Sequence, residues 1–107
     1  MVLTVNNAKV GNGCTILLYT DRQAYTIVEV NKNIIKIQRD EAIRKTDPEF
    51  VKGGFGAHCT NNIYIEYDYK QNINNPILSV KANRKGIFKY NNNTIICGRH
   101  EYYDYNF

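Results

Sequence analysis

The chain has no tryptophan, only two prolines, one methionine and three cysteines. No CxxC pair exists among Cys14, Cys59 and Cys97, so a structural zinc site has no ligand pattern to stand on. An odd, widely spaced set also argues against a disulfide framework. Cys14 and Cys97 sit in apolar strand contexts and read as buried free thiols. No apolar run approaches the roughly 20 residues of a membrane span. The opening Met1-Val2-Leu3-Thr4-Val5 lacks a basic start and meets Asn6-Asn7 at once, so no signal peptide is visible and the cytoplasm is the expected compartment. No run of five Lys or Arg occurs, which excludes a DNA-coating tail. There is no GKS or GKT of a phosphate-binding P-loop, and no GxGxxG between a strand and a helix.

What is present is β-forming. Of 107 residues, 43% are apolar, enough for one globular domain, 1–107, with one modest core. The net charge is +4, which permits anionic partners without requiring them. Asn (15), Ile (13) and Tyr (9) are abundant. That bias follows AT-rich codons and discounts any argument from aromatic content alone.

The stretch Gly11–Asp40 carries three apolar, β-branched segments separated by polar turns, and predicts strands at Cys14–Thr20, Ala24–Asn31 and Asn33–Arg39. Asp40–Lys45 reads as one helical turn, stopped by Thr46-Asp47-Pro48. Residues 46–62 read as a long ordered loop with a short strand inside. Ile63–Tyr69 alternates, with Ile63, Ile65, Tyr67 and Tyr69 on one face. Strands follow at Ile77–Ala82, Ile87–Tyr90 and Thr94–Gly98, joined by Asn- and Gly-containing turns that tolerate positive φ. Short, evenly spaced strands of this kind predict an all-β fold, a small SH3-like or Tudor-like barrel, with a long Gly-containing loop and a packed aromatic C-terminal tail. An oligomer is one way to cover its strand edges.

The candidate ligand-binding residues lie on the turns. Arg22, flanked by Tyr19 and Tyr25, is a candidate anion contact with stacking platforms beside it; the alternative is a solvated turn. Arg39, Arg44 and Lys45 form a second cationic group, weakened by Asp40, Glu41 and Asp47 as local salt-bridge partners. Gly53-Gly54-Phe55-Gly56-Ala57-His58-Cys59 is a loop in which the backbone N–H groups around Gly54 can cradle an anion. His58 and Cys59 are adjacent, so in an extended chain they point apart and seldom form a dyad; His58 reads as a loop hydrogen-bonding group or a ligand contact. Arg84 tops another basic turn. Arg99 and Tyr102 belong to the aromatic tail, which either packs or offers a ligand platform. No acid/base pair has convincing context: Glu66 and Asp68 share a face with no pocket signature. Catalytic residues, metal ligands and cofactors are therefore not expected.

Three segments, VGNGCTILLYTDRQAYTIVEV with IIKIQRD, GGFGAHC, and GRHEYYDYNF, together resemble a group of small bacteriophage and prophage proteins. Where such proteins carry an aromatic after the corresponding turn, this chain has Arg84-Lys85-Gly86-Ile87-Phe88. No site residue carries over from the resemblance. It implies a phage accessory protein acting in the cytoplasm of a bacterial host, in company with counter-defence proteins that sequester nucleotide signals and with RNA- or protein-binding inhibitors. The expectation is a non-enzymatic protein that captures a small anionic, nucleotide-type ligand. The alternatives are nucleic-acid binding by the same basic surface and inhibition of a host protein.

Overall fold

The computed structural model describes residues 1–53, 56–59, 61 and 64–104. The protein is all-β, and no α-helix is found among the described residues. None is therefore long and apolar enough to cross a membrane. Nine strands are found among the described residues, in chain order: β1 (Gly13–Leu17), β2 (Arg22–Asn31), β3 (Ile34–Arg44), β4 (Phe50–Gly53), β5 (Gly56–Cys59), β6 (Tyr67–Gln71), β7 (Ile77–Lys81), β8 (Lys89–Tyr90) and β9 (Asn93–Cys97). The main sheet is antiparallel, with β3, β2, β1, β9 and β8 side by side. β3 is long enough to take two partners along its other edge, β7 beside Ile34–Gln38 and β6 beside Asp40–Arg44. β4 and β5 form a separate hairpin within the predicted loop. The main sheet does not close into a barrel. Its ends are joined by the isolated bridge Ala82↔Phe88 rather than by a ladder.

The β1–β2–β3 meander matches the sequence expectation, and its turns use the expected chemistry. Asn91 and Asn92 take φ of 48° and 66° between β8 and β9, as a tight hairpin requires. Lys32, at φ 54°, does the same between β2 and β3 without the usual Asn or Gly. Asp40–Arg44 corrects the expected helical turn. These residues extend β3, because the β6 backbone offers Asp40–Arg44 a full set of ladder partners from Gln71 to Tyr67. Weak local helix preference loses to that pairing.

One face of the sheet holds the apolar core. Cys14, Ile16, Tyr25, Ile27, Ile35, Ile37, Val80 and Ile95 meet there with Leu3 and Phe88, and all are buried. A bulge between Ile27 and Glu29 preserves this face. It inserts one residue, so Val30 pairs with Ile35 and packs against the core, while Glu29 turns out beside Lys36. The N-terminal segment is tied in as well. Leu3 exchanges backbone bonds with Ile95 and Phe88, and its side chain is buried, contributing roughly 2 kcal/mol of hydrophobic stabilisation.

The opposite face is the unusual one. Register places Gly13, Thr15, Ala24, Thr26, Gln38 and Asp40 together there. An outward face of that composition is ordinarily solvated. Here Thr15, Thr26, Gln38 and Asp40 are all buried. Residues 98–102 cover Thr15, Ala24, Thr26 and Asp40, and Asn75 accepts from the Gln38 amide.

Candidate functional site

The segment after β9 is held on the polar face by side chains that lie far away in sequence. Thr15 Oγ1 donates to Gly98 O (2.7 Å) and accepts from the His100 N–H (2.8 Å). Arg99 Nε donates to Asp40 Oδ2 at 2.8 Å, and its Nη2 reaches Thr26 Oγ1 at 2.8 Å. Thr26 in turn donates to Asp40 Oδ1 at 2.5 Å. Both oxygens of a fully buried carboxylate are therefore satisfied. Two residues on, Glu101 takes the Arg39 guanidinium in a two-pronged pair, with Nη1–Oε1 2.8 Å and Nη2–Oε2 2.7 Å. Glu101 Oε1 also accepts from the Ala24 N–H (2.9 Å), and Arg39 donates to Ala24 O (3.0 Å). Adjacent residues of β3, Arg39 and Asp40, thus hold alternate residues of the C-terminal segment through pairs of opposite sense. Finally Tyr102 forms a two-bond bridge with Arg22, N–H to O at 2.8 and 3.0 Å.

This anchoring builds an open cleft of about 410 Å³. One wall is the C-terminal segment, with His100, Glu101 and Tyr102. The other is Ile65, Glu66, Tyr67 and Tyr69 at β6. Arg22, Lys45 and Arg99 bring positive charge to it. A second groove of about 570 Å³, lined by Leu17, Leu18 and Tyr19, adjoins it and shares Arg22 and Tyr102. Both volumes are of the size that holds a small ligand.

The cations of the cleft are not equivalent. Arg99 is committed to buried Asp40. Lys45 Nζ stands 3.7 Å from Asp68, with both side chains well exposed, a contact worth about 0–1 kcal/mol and readily exchanged. Arg22 is exposed at the start of β2. Tyr69 and Tyr102 are neutral at physiological pH. Burial pushes the Tyr69 phenol up, against the opposing effect of the Glu101 N–H it accepts at 2.8 Å. Burial, then Asp104, raises Tyr102, against the nearby Arg22. Neutral phenols offer stacking faces and hydroxyl donors rather than negative charge.

The structure therefore brings Arg22, Lys45, and the Arg99 and Tyr102 of the C-terminal segment together from three separate parts of the chain. Arg39 lies behind Glu101, and Tyr25 is buried in the core with the Arg39 guanidinium 5.9 Å from its ring centroid. Neither lines the cleft. Arg44 pairs with Asp47 at 3.7 Å, and Arg84 is exposed on the turn after β7; both are outside the lining. His58 is opposite Val51 in the β4–β5 hairpin. Gly54 and the tail residues Tyr105, Asn106 and Phe107 lie outside the described residues.

Sequence reasoning missed Tyr67, Tyr69, Glu101 and Asp40 as site builders. The Tyr67/Tyr69 alternation was a usable signal, because it put two tyrosines on one face. The acids carried none, since their partners are 62 and 59 residues away. Among the described residues, no group of three or more His, Cys, Asp or Glu side chains is placed to hold a metal ion. No family model, curated protein or solved structure matches the chain.

Proposed function

We propose that the protein is a non-enzymatic binding module that holds a small anionic ligand with an aromatic ring, of nucleotide type, in the cleft between β6 and the C-terminal segment. The observation that carries this reading is the convergence of Arg22 and Lys45 with Tyr67, Tyr69 and Tyr102 around one open concavity. Guanidinium and ammonium groups suit phosphate, and tyrosine faces suit a base. Of the two acids that line the cleft, Glu101 has structural employment, holding Arg39 and the Ala24 N–H. That assignment favours binding over acid/base chemistry.

The same reading treats the fold as an open relative of an SH3-like barrel, with its aromatic tail as the cover of the polar face. Supporting it are the β1–β3 meander, the bulge in β2, and the pairing of β9 back onto β1. Sequestration of a nucleotide signal in a phage-infected cell is the role this proposal gives the protein. Native mass spectrometry of protein purified gently from bacterial cells tests it. A discrete added mass of nucleotide size supports capture. Heterogeneous nucleic acid, or capture of a host protein by apo chain, points to the rival readings.

A further inference from the structure

Cys14 and Cys97 are direct cross-strand partners in the β1–β9 ladder. Direct partners project to the same face, and both side chains meet the apolar core there. The hydrogen bonds identify the kind of pair. Cys97 gives its N–H to Met1 O at 2.8 Å, on the side away from β1. The bond that joins the strands here runs from the Gly98 N–H to Gly13 O at 3.0 Å, one residue beyond. The cysteines therefore occupy a non-hydrogen-bonded site. Cα atoms at such sites lie about 4.5 Å apart, inside the roughly 4.4–6.8 Å window of a disulfide.

The two thiols differ in access. Cys14 is fully buried. Cys97 is half-buried and lines a surface cavity of about 170 Å³ beside Leu3, Asn12 and Gly13. A cavity of that size admits a very small reagent. We propose that Cys14 and Cys97 are a paired oxidation site that closes to a cross-strand disulfide with a peroxide-class oxidant. The Cys97 thiol gives up its proton, the thiolate attacks one peroxide oxygen, the O–O bond breaks, and the departing hydroxide takes up that proton to leave as water, so Cys97 becomes a sulfenic acid. The Cys14 sulfur then attacks the Cys97 sulfur and expels the hydroxyl, which leaves as water with the Cys14 proton. In total two thiols are oxidised by two electrons, one hydrogen peroxide is reduced, and two waters form. The bond fastens β9, which leads directly into Arg99 and Glu101. It does not depend on what the cleft binds.

The test is hydrogen peroxide titration of the full chain, followed by intact-mass and peptide mapping under non-reducing conditions. The expected product is about 2 Da lighter, has the Cys14 and Cys97 peptides linked, keeps Cys59 as an unoxidised thiol, and is reversed by a thiol reductant. Cys97→Ala, at the half-buried position, abolishes it, and Cys14→Ala leaves Cys97 to accumulate oxygen adducts. Oxygen added at Cys97 of the unaltered chain with no link to Cys14, or a link through Cys59, overturns the proposal.

Discussion

Arg99 donates to Asp40 at 2.8 Å across 59 residues of chain, and the Asp40 side chain is wholly inaccessible to water. The pair sits on the sheet face that its polar composition would leave wet. Arg99→Ala removes the charge partner of a buried carboxylate and is expected to cost about 3–5 kcal/mol. Arg39→Ala is expected to cost less, about 1–3 kcal/mol, because Glu101 keeps the Ala24 N–H. Urea unfolding of the two variants checks the order.

Gly13 lies under Arg99. A β-carbon at this position overlaps the Arg99 side chain near its Cγ, which the Asp40 contact keeps from moving away. Gly13 has ordinary strand backbone rather than a left-handed φ, so the effect of Gly13→Ala is steric. The expected loss is about 1–3 kcal/mol, and it shrinks when Arg99→Ala is already present. A double-mutant cycle by chemical denaturation reads that coupling.

Alkaline pH is expected to weaken the fold through Cys14. Burial first, then Asp40, pushes its thiol from 9.0 up to about 12. A thiol kept protonated only in the folded state stabilises fully below the unfolded value and loses that contribution as pH rises toward the folded one. Between pH 9 and 12 the loss amounts to about 4 kcal/mol. Tyr25 and Tyr69, also raised by burial, add to it above 10.0. Stability measured against pH falls less steeply across this window in Cys14→Ala than in the unaltered chain.

Much of the fold was legible because its signals are local. The meander follows from β-branched segments and polar turns, and the Asn91-Asn92 hairpin from residues that accept positive φ. The β2 bulge was not legible, since Val28 looks like any other strand residue until Val30 has to face the core. Asp40–Arg44 misled because its helix-compatible composition is overridden by a partner strand nearly thirty residues later in the chain. For the cleft, Arg22, Lys45, Arg99 and Tyr102 were legible as individual candidates. Their convergence was not, because it depends on Thr15, Thr26, Asp40 and Glu101 pinning residues 98–102 to the sheet.

Arg22 offers the most direct test of the binding reading. Its side chain is exposed, so Arg22→Ala is expected to leave the melting temperature within about 1 °C of the unaltered chain. Isothermal titration calorimetry with adenosine and guanosine mono- and triphosphates compares the two proteins, with Lys45→Ala alongside. A nucleotide is expected to bind the unaltered chain, Arg22→Ala to weaken it about 10- to 100-fold, and affinity to fall only gently with salt. No binding by any of these nucleotides, or equal binding by Arg22→Ala and Lys45→Ala, contradicts the binding reading; a steep salt dependence confined to oligonucleotides does so in favour of nucleic acid.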